Sequence, residues 1–403
     1  MNFSKSQLII IGIGAFIFLS IIGIFVFGGG KRDVIEKAEL TFWGTDSSEY
    51  FSDAIAGFQK KYKGLTVKYR QIDESVYEDQ LVDSLAAGNG PDVFMFGSHW
   101  LPRHKNKVFS APVDVLSANR FSDLFPSVAS SDFVSEGVVY ASPLYIDTLA
   151  LYYNRSIFDR LAISLPPRTW DDFKGLIVVR KATASFGGYA PLVTRAADIM
   201  DALLMQAGGD LNLKNKGFVR LSSDAGIKAL NFYIQFAAPK EDSITGFAGE
   251  RLSMMLGYHS DKELIKKKNP FIDLGVTSLP QFYVDSPIVP ARYYGAAVSV
   301  KSDHKEAAWE FISYLTTDAA VAEAFAVKNV HPPALRSVIQ EYSDDSELGV
   351  FARQALIARS WFNPDDRKVN DIYNTMIRSA ISARASQAAL QSAESEINKL
   401  INQ

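Results

Sequence analysis

The stretch from Leu40 to Gly97 constrains the fold more than any other, because its apolar periodicity alternates strand, helix, strand, helix, strand. Leu40, Thr41 and Phe42 read as a strand that Trp43 and Gly44 end. Asp46 with Glu49 three residues on is a helix-start pattern, and Phe51, Ile55, Phe58 and Tyr62 then recur at helical spacing as far as Gly64. "LTVKYR" sets Leu65, Val67 and Tyr69 against Thr66, Lys68 and Arg70, the two-residue period of a strand. Tyr77, Leu81 and Leu85 form a second helical stripe closed by Gly88, and "GPDVFMF" turns into an apolar strand, Val93 to Phe96. Strands joined through helices run parallel with right-handed crossovers. Sheets of this kind bind ligands in a crevice beyond the carboxyl ends of their strands. Trp43 follows the first strand, and Phe96, His99 and Trp100 end or follow the third, so all four are expected in one crevice.

The chain has 403 residues, too long for one ordinary core, so two or more packed units are expected. A hydrophobic content of 47% and a charged content of 22% are those of a folded globular protein. The formal net charge is −3; without Lys5, Lys31 and Arg32 the remainder carries 39 basic against 45 acidic residues. No basic stripe is present, which argues against nucleic acid as a partner. There is no cysteine, which excludes disulfides, thiolate metal sites, a cysteine nucleophile and a lipid-anchoring cysteine.

Leu8 to Phe27 contains no charge and, as a helix, spans about 30 Å, the thickness of a bilayer core. The competing reading is a cleaved signal peptide, whose apolar region is usually about 7–15 residues. The longer run favours one uncleaved transmembrane helix followed by a glycine-rich tether, residues 28–37. Orientation is balanced on local charge, since Lys5 precedes the span while Lys31 and Arg32 follow it.

Beyond Gly97 the α/β style continues. Thr148 to Tyr153 is an extended run crossing away from the first unit, "PPRTWDDF" is a turn with a helix start at Thr169, "RLSMMLGYH", "DLGVTSLP" and "YYGAAVSVK" are strands, and the tail from Lys305 is helical. Taken in order, "LTFWGTDSSEYFSDAIAGFQKKY", "GPDVFMFGSHW", "YASPLYIDTLALYYN", "LPPRTWDDF", "MMLGYH" and "YYGAAVSVKSDHKEAAWEFISYLTTDAAVAEAF" resemble the extracellular solute-binding proteins of ABC importers, in the sugar-binding group that includes maltose-binding protein. The resemblance covers nearly everything from Ala38 onward. It implies a two-lobe α/β fold of the periplasmic-binding-protein type, with a hinge and a cleft between the lobes. Mapped on this chain, lobe one would comprise 38–146 plus 295–332, and lobe two 147–294 plus 333–403. The implied function is capture of a sugar or oligosaccharide by hinge closure and delivery to the importer's membrane subunits. The implied location is the cell membrane, with the globular part on the outer side. No enzyme activity and no cofactor are implied.

A sugar cleft needs ring faces beside short polar groups. By position in the resemblance, the implied ligand-binding set is Trp43, Phe96, His99, Trp100, Tyr145, Asp147, Tyr189, Tyr258, Arg292 and Tyr293. For Trp43, Phe96 and Tyr258 the competing reading is packing within a lobe; for Arg292 it is a structural pair with a carboxylate. Where maltose-binding protein carries an acidic–basic pair, this chain has His99 and Trp100, a departure from maltose-like specificity. The five histidines are dispersed, no phosphate-cradling loop or G-x-S-x-G elbow is present, and the doublets Asp171–Asp172 and Asp365–Asp366 stand at helix starts. An anchored glycan-acting enzyme would need two cleft carboxylates about 5–10 Å apart, which the sequence does not obviously supply. A ligand-sensing ectodomain is the third reading.

Overall fold

The computed structural model describes residues 37–182, 196–211, 217–235, 243–329 and 331–402. The apolar segment 8–27, the tether as far as residue 36 and Tyr189 lie outside the described residues. Among the described residues no helix is long and apolar enough to cross a membrane.

Strand β1, Ala38–Gly44, pairs in parallel with β2, Leu65–Gln71, and with β3, Val93–Gly97. Helices α1, Ser48–Lys61, and α2, Glu74–Ala87, make the crossovers. The periodic residues bury as expected: Phe51 and Phe58 on α1, and Tyr77, Leu81 and Leu85 on α2. Two local expectations are corrected. Strand β1 does not stop at Phe42 but continues through Trp43 and Gly44. The cap of α1 is Ser47, whose hydroxyl accepts the N–H of Glu49 at 3.4 Å, so the Asp46 side chain is released from capping.

The chain continues through β4, Val108–Phe109, and β5, Ser142–Pro143. Strand β10, Tyr294–Ser299, returns from far along the chain, antiparallel to β3, and completes a six-stranded sheet in the order β2-β1-β3-β10-β4, with β5 also on β10. A second sheet has β6, Ala150–Asn154, between β7, Met254–Gly257, and β8, Leu274–Ser278, all antiparallel. Helices α3, Trp170–Ala182, α4, Ala196–Gln206, α5, Asp224–Ile234, and α6, Asp261–Lys268, belong to this second unit. Helices α7, Lys305–Thr317, and α8, Ala319–Asn329, return to the first sheet, and Phe311 on α7 packs on Phe42 at 5.8 Å. The C-terminal helices α9, Asp366–Ala383, and α10, Ser386–Ile401, pack on the second unit.

The result is two α/β lobes joined by three neighbouring segments. Residues 144–149 lead from β5 to β6, residues 291–293 lead from β9, Val289–Pro290, to β10, and residues 331–335 follow α8. The segments hold one another through their backbones. Arg292 N–H donates to the Asp147 carbonyl at 3.0 Å, Leu149 N–H to Pro290 at 3.3 Å, and Ile146 N–H to Pro332 at 3.3 Å.

In lobe two, Asp201 on α4 fixes the chain that leads into α9. Its carboxylate accepts from the Trp361 indole N–H at 2.7 Å and from the Tyr373 hydroxyl at 3.0 Å. Burial pushes this carboxyl up to about 8, against the effect of the Trp361 bond and with nearby Asp198 adding to the rise. A raised folded-state value means stability is greatest below the unfolded carboxylate range and is lost as pH rises toward about 8. Asp201→Asn lacks this titration. Its melting temperature relative to the parent should therefore climb between pH 5 and pH 8 and level off above; a constant difference across thermal melts in that range contradicts the assignment.

Candidate ligand cavity between the lobes

The carboxyl end of β1 and the loop after β7 face each other across a cavity of about 700 Å³. Asp46, Ser47, Tyr50 and Gln71 line it from lobe one, His259, Ser260 and Lys262 from lobe two, and His331 from the third crossing segment.

Asp46 sits in the turn between β1 and α1, where its backbone carbonyl accepts the Tyr69 hydroxyl at 2.7 Å. Its Oδ2 is buried and has no hydrogen-bond partner. Burial, with nearby Glu74 adding to it, pushes the carboxyl up to about 7. His331 lies on Tyr145, ring centroids 4.6 Å apart and planes 12° apart, with Phe325 behind it at 5.9 Å and Tyr50 edge-on at 5.3 Å. The stack fixes the imidazole plane, and its Nε2 is buried without a partner. Burial lowers His331 to about 4, so the ring is neutral at neutral pH. His259 follows the same pattern. Its ring meets Phe351 edge-on at 4.9 Å, its Nε2 is buried without a partner, and burial together with Lys262 and His331 lowers it to about 3.

Asp147 aims the His259 loop. Its Oδ1 accepts from the backbone N–H of Thr148 at 2.8 Å and of His259 at 2.9 Å, and its Oδ2 from that of Ser260 at 3.1 Å. Asp261 closes the same loop by accepting the Tyr258 N–H at 2.9 Å. Gly257 makes this turn possible, since a Cβ there would stand 2.8 Å from Asp261 Oδ2 and 3.3 Å from the Tyr152 ring.

The expected site residues divide. Trp43, Phe96, Trp100 and Tyr293 belong to the lobe-one core. Trp43 is 9% exposed beneath the Arg70 guanidinium, 4.7 Å from its ring. Phe96 and Trp100 pack on each other at 5.7 Å, and the Tyr293 hydroxyl donates to Asp132 at 2.6 Å. Tyr258 is buried as well, and its carbonyl accepts the Tyr152 hydroxyl at 2.8 Å. Tyr145 and Asp147 stand behind the cavity, one under His331 and the other under the His259 loop. His99 and Arg292 line neighbouring cavities of about 440 and 330 Å³. Arg292 pairs with Asp366 at 3.0 Å. Asp46, Tyr50, His259 and His331 are additional to the sequence-based set. The one available signal was position: Asp46 follows the Trp43–Gly44 pair, and His259 follows Tyr258. Among the described residues no group of three His, Asp or Glu side chains is arranged to hold a metal ion.

Comparison with known proteins agrees with this architecture. The family described as "Bacterial extracellular solute-binding protein" matches residues 44–322. A Brucella abortus relative named only as a binding protein is 23% identical over 290 residues, covering 68% of this chain and 70% of its own. The maltotriose-binding protein of Pyrococcus abyssi is 23% identical over 312 residues, covering 73% and 66%. The solved structure of the sugar-binding protein MalE from Xanthomonas citri superposes with a TM-score of 0.78 at 19% identity, over 91% of this chain and 98% of that one. With two lobes, three connecting segments and a family match that spans more than half its length, this chain belongs to the bacterial extracellular solute-binding proteins.

Proposed function

We propose that this protein captures a small polyhydroxylated solute, a carbohydrate or alditol, between its lobes and delivers it to an ABC importer. One observation carries the reading: Asp46, His259 and His331, from both lobes and a crossing segment, line one cavity, and each carries a buried polar atom without a partner. Each such atom costs about 1–3 kcal/mol while unpaired. A hydroxyl both donates and accepts, so it can pair with a carboxyl or with either nitrogen of a neutral imidazole. Of the three lysines that line the cavity, Lys262 pairs with Glu347 at 2.7 Å and Lys328 with Asp53 at 2.5 Å, and Asp46, Glu263 and Glu347 line it as well, so the lining carries both signs of charge and is not built for an anion. The maltotriose-binding relative supports a saccharide.

The three crossing segments would serve as the hinge. A ligand that contacts both lobes stabilises the closed arrangement, because only that arrangement offers both sets of contacts. The uncharged segment 8–27 would anchor the protein at the cell membrane, with the lobes outside and the tether setting their reach. Membrane fractionation of the full chain tests the anchor.

A thermal-shift screen over monosaccharides, alditols and linear oligosaccharides tests the ligand class. At 100-fold excess over Kd a bound solute stabilises by about 2.7 kcal/mol, a rise of several degrees. No rise with any of them contradicts the reading. Calorimetric titration then separates the cavity from the core. Asp46→Ala should weaken the best solute by about 5- to 150-fold, the equivalent of about 1–3 kcal/mol. Trp43→Ala should instead cost about 3–5 kcal/mol of stability while the folded fraction keeps its affinity. The reverse pattern would return Trp43 to the ligand site.

A further inference from the structure

A second feature of the cleft lies beside the cavity. The N-terminus of α9, in lobe two, is tied to α2 and to the helical turn Leu101–His104 of lobe one by a continuous set of charged contacts. Arg367 makes a two-pronged pair with Asp79, at 2.7 and 3.1 Å, and reaches Glu78 at 3.2 Å. Glu78 also accepts from Arg103 at 2.8 Å and contacts His104 at 3.0 Å. Deeper in, Asp366 pairs with Arg292 at 3.0 Å and lies 3.7 Å from His99. The inner members are well covered: Glu78, His99 and Asp366 side chains are 16%, 18% and 21% exposed. Burial alone would push Glu78 up, but the His104 bond, the Arg103 charge and the Arg367 bond outweigh it and hold the carboxyl at about 2. The outer Arg367–Asp79 pair is exposed and weak by itself; it is joined through Glu78 to part-buried members of the network.

These residues divide the space between the lobes. Arg367 lines the 330 Å³ cavity beside Arg292 on one side and a cavity of about 470 Å³ beside Asp79 on the other. The 330 Å³ cavity adjoins the 700 Å³ cavity at the loop after β7, where Asp261 lines the one and His259 and Ser260 the other, so Arg367 and Asp366 stand at the end of the 330 Å³ cavity away from that loop.

We propose that this cross-lobe ion-pair network is an end wall of the cleft, which restricts the site to a monosaccharide or alditol and shuts out linear oligosaccharides. The length assignment rests on the saccharide reading above; the wall itself does not, because every group in it belongs to the chain. Specificity here comes from exclusion: a longer chain would have to break a connected set of part-buried ion pairs to pass.

Two measurements on the full chain test the proposal. The first is ligand-free. With no native cysteine, Asp83→Cys and Asp371→Cys, exposed on α2 and α9, accept spin labels at defined positions. The distance distribution should contain a short population that Arg367→Glu removes; a distribution unmoved by Arg367→Glu overturns the wall. The second is calorimetric titration with glucose, mannitol, maltotriose and maltotetraose. The parent should take a short probe and not maltotetraose, while Arg367→Ala and Asp366→Ala/Arg367→Ala should gain maltotetraose affinity by about tenfold or more. Parent binding of maltotetraose as tight as that of any short probe overturns the length assignment. Binding of none of the four by parent or variant overturns that assignment together with the saccharide reading for these probes, and the label distances then decide the wall alone.

Discussion

The three backbone N–H groups held by Asp147 are the contact on which the site depends. The residue sits in the first crossing segment, and its acceptors seize the loop after β7 in lobe two, so one carboxylate joins the connection between the lobes to the cavity wall. The arrangement has a cost. Burial pushes Asp147 up to about 7, and the N–H bonds from His259 and Ser260 only partly offset it. The buried carboxyl fixes where the His259 loop stands, and that loop lines the cavity that Asp46 and His331 share.

Two opposite uses of polar groups lie side by side in the cleft. Around Asp46, His259 and His331 the polar atoms are desolvated and unpaired, a state that destabilises the protein alone and favours whatever supplies the missing bonds. Around Glu78, Asp366 and Arg367 the charges satisfy one another across the lobes. The first region is arranged to gain from a partner, whereas in the second most charges are paired, although Arg103 Nε and His104 Nδ1 are buried there without a partner.

Much of the scaffold was legible in the sequence because periodicity reports burial. The parallel β1–β2–β3 unit and the helix starts at Thr169 and Asp365 follow from local pattern, while the crossings near Asp147 and Arg292 follow from the family resemblance. The site was less legible for a physical reason. In a sheet covered on both faces, a strand buries successive residues on both sides. Phe42 packs against Phe51 and Phe311 on one face while Trp43 lies under Arg70 on the other, so a large aromatic near a strand end says nothing of a crevice. Asp46, His259 and His331 sit outside helices and strands, where a lone Asp or His has no periodicity to give it away. Asp46 looked like a helix cap until Ser47 took that role. The bond between Arg292 and Asp366 joins residues whose separation no local pattern could bridge, though a carboxylate partner for Arg292 was one of its two expected roles.

The most direct test of the central claim is the imidazole nitrogen spectrum of the five histidines, recorded with and without the solute that raises the melting temperature most. His259 and His331, lowered by burial to about 3 and about 4, should be neutral at pH 6 in the free protein, and their Nε2 signals should move as hydrogen bonds form. His304, at the start of α7, should stay where it is. Saturation by the solute with both Nε2 signals unmoved would place the ligand elsewhere and contradict the account.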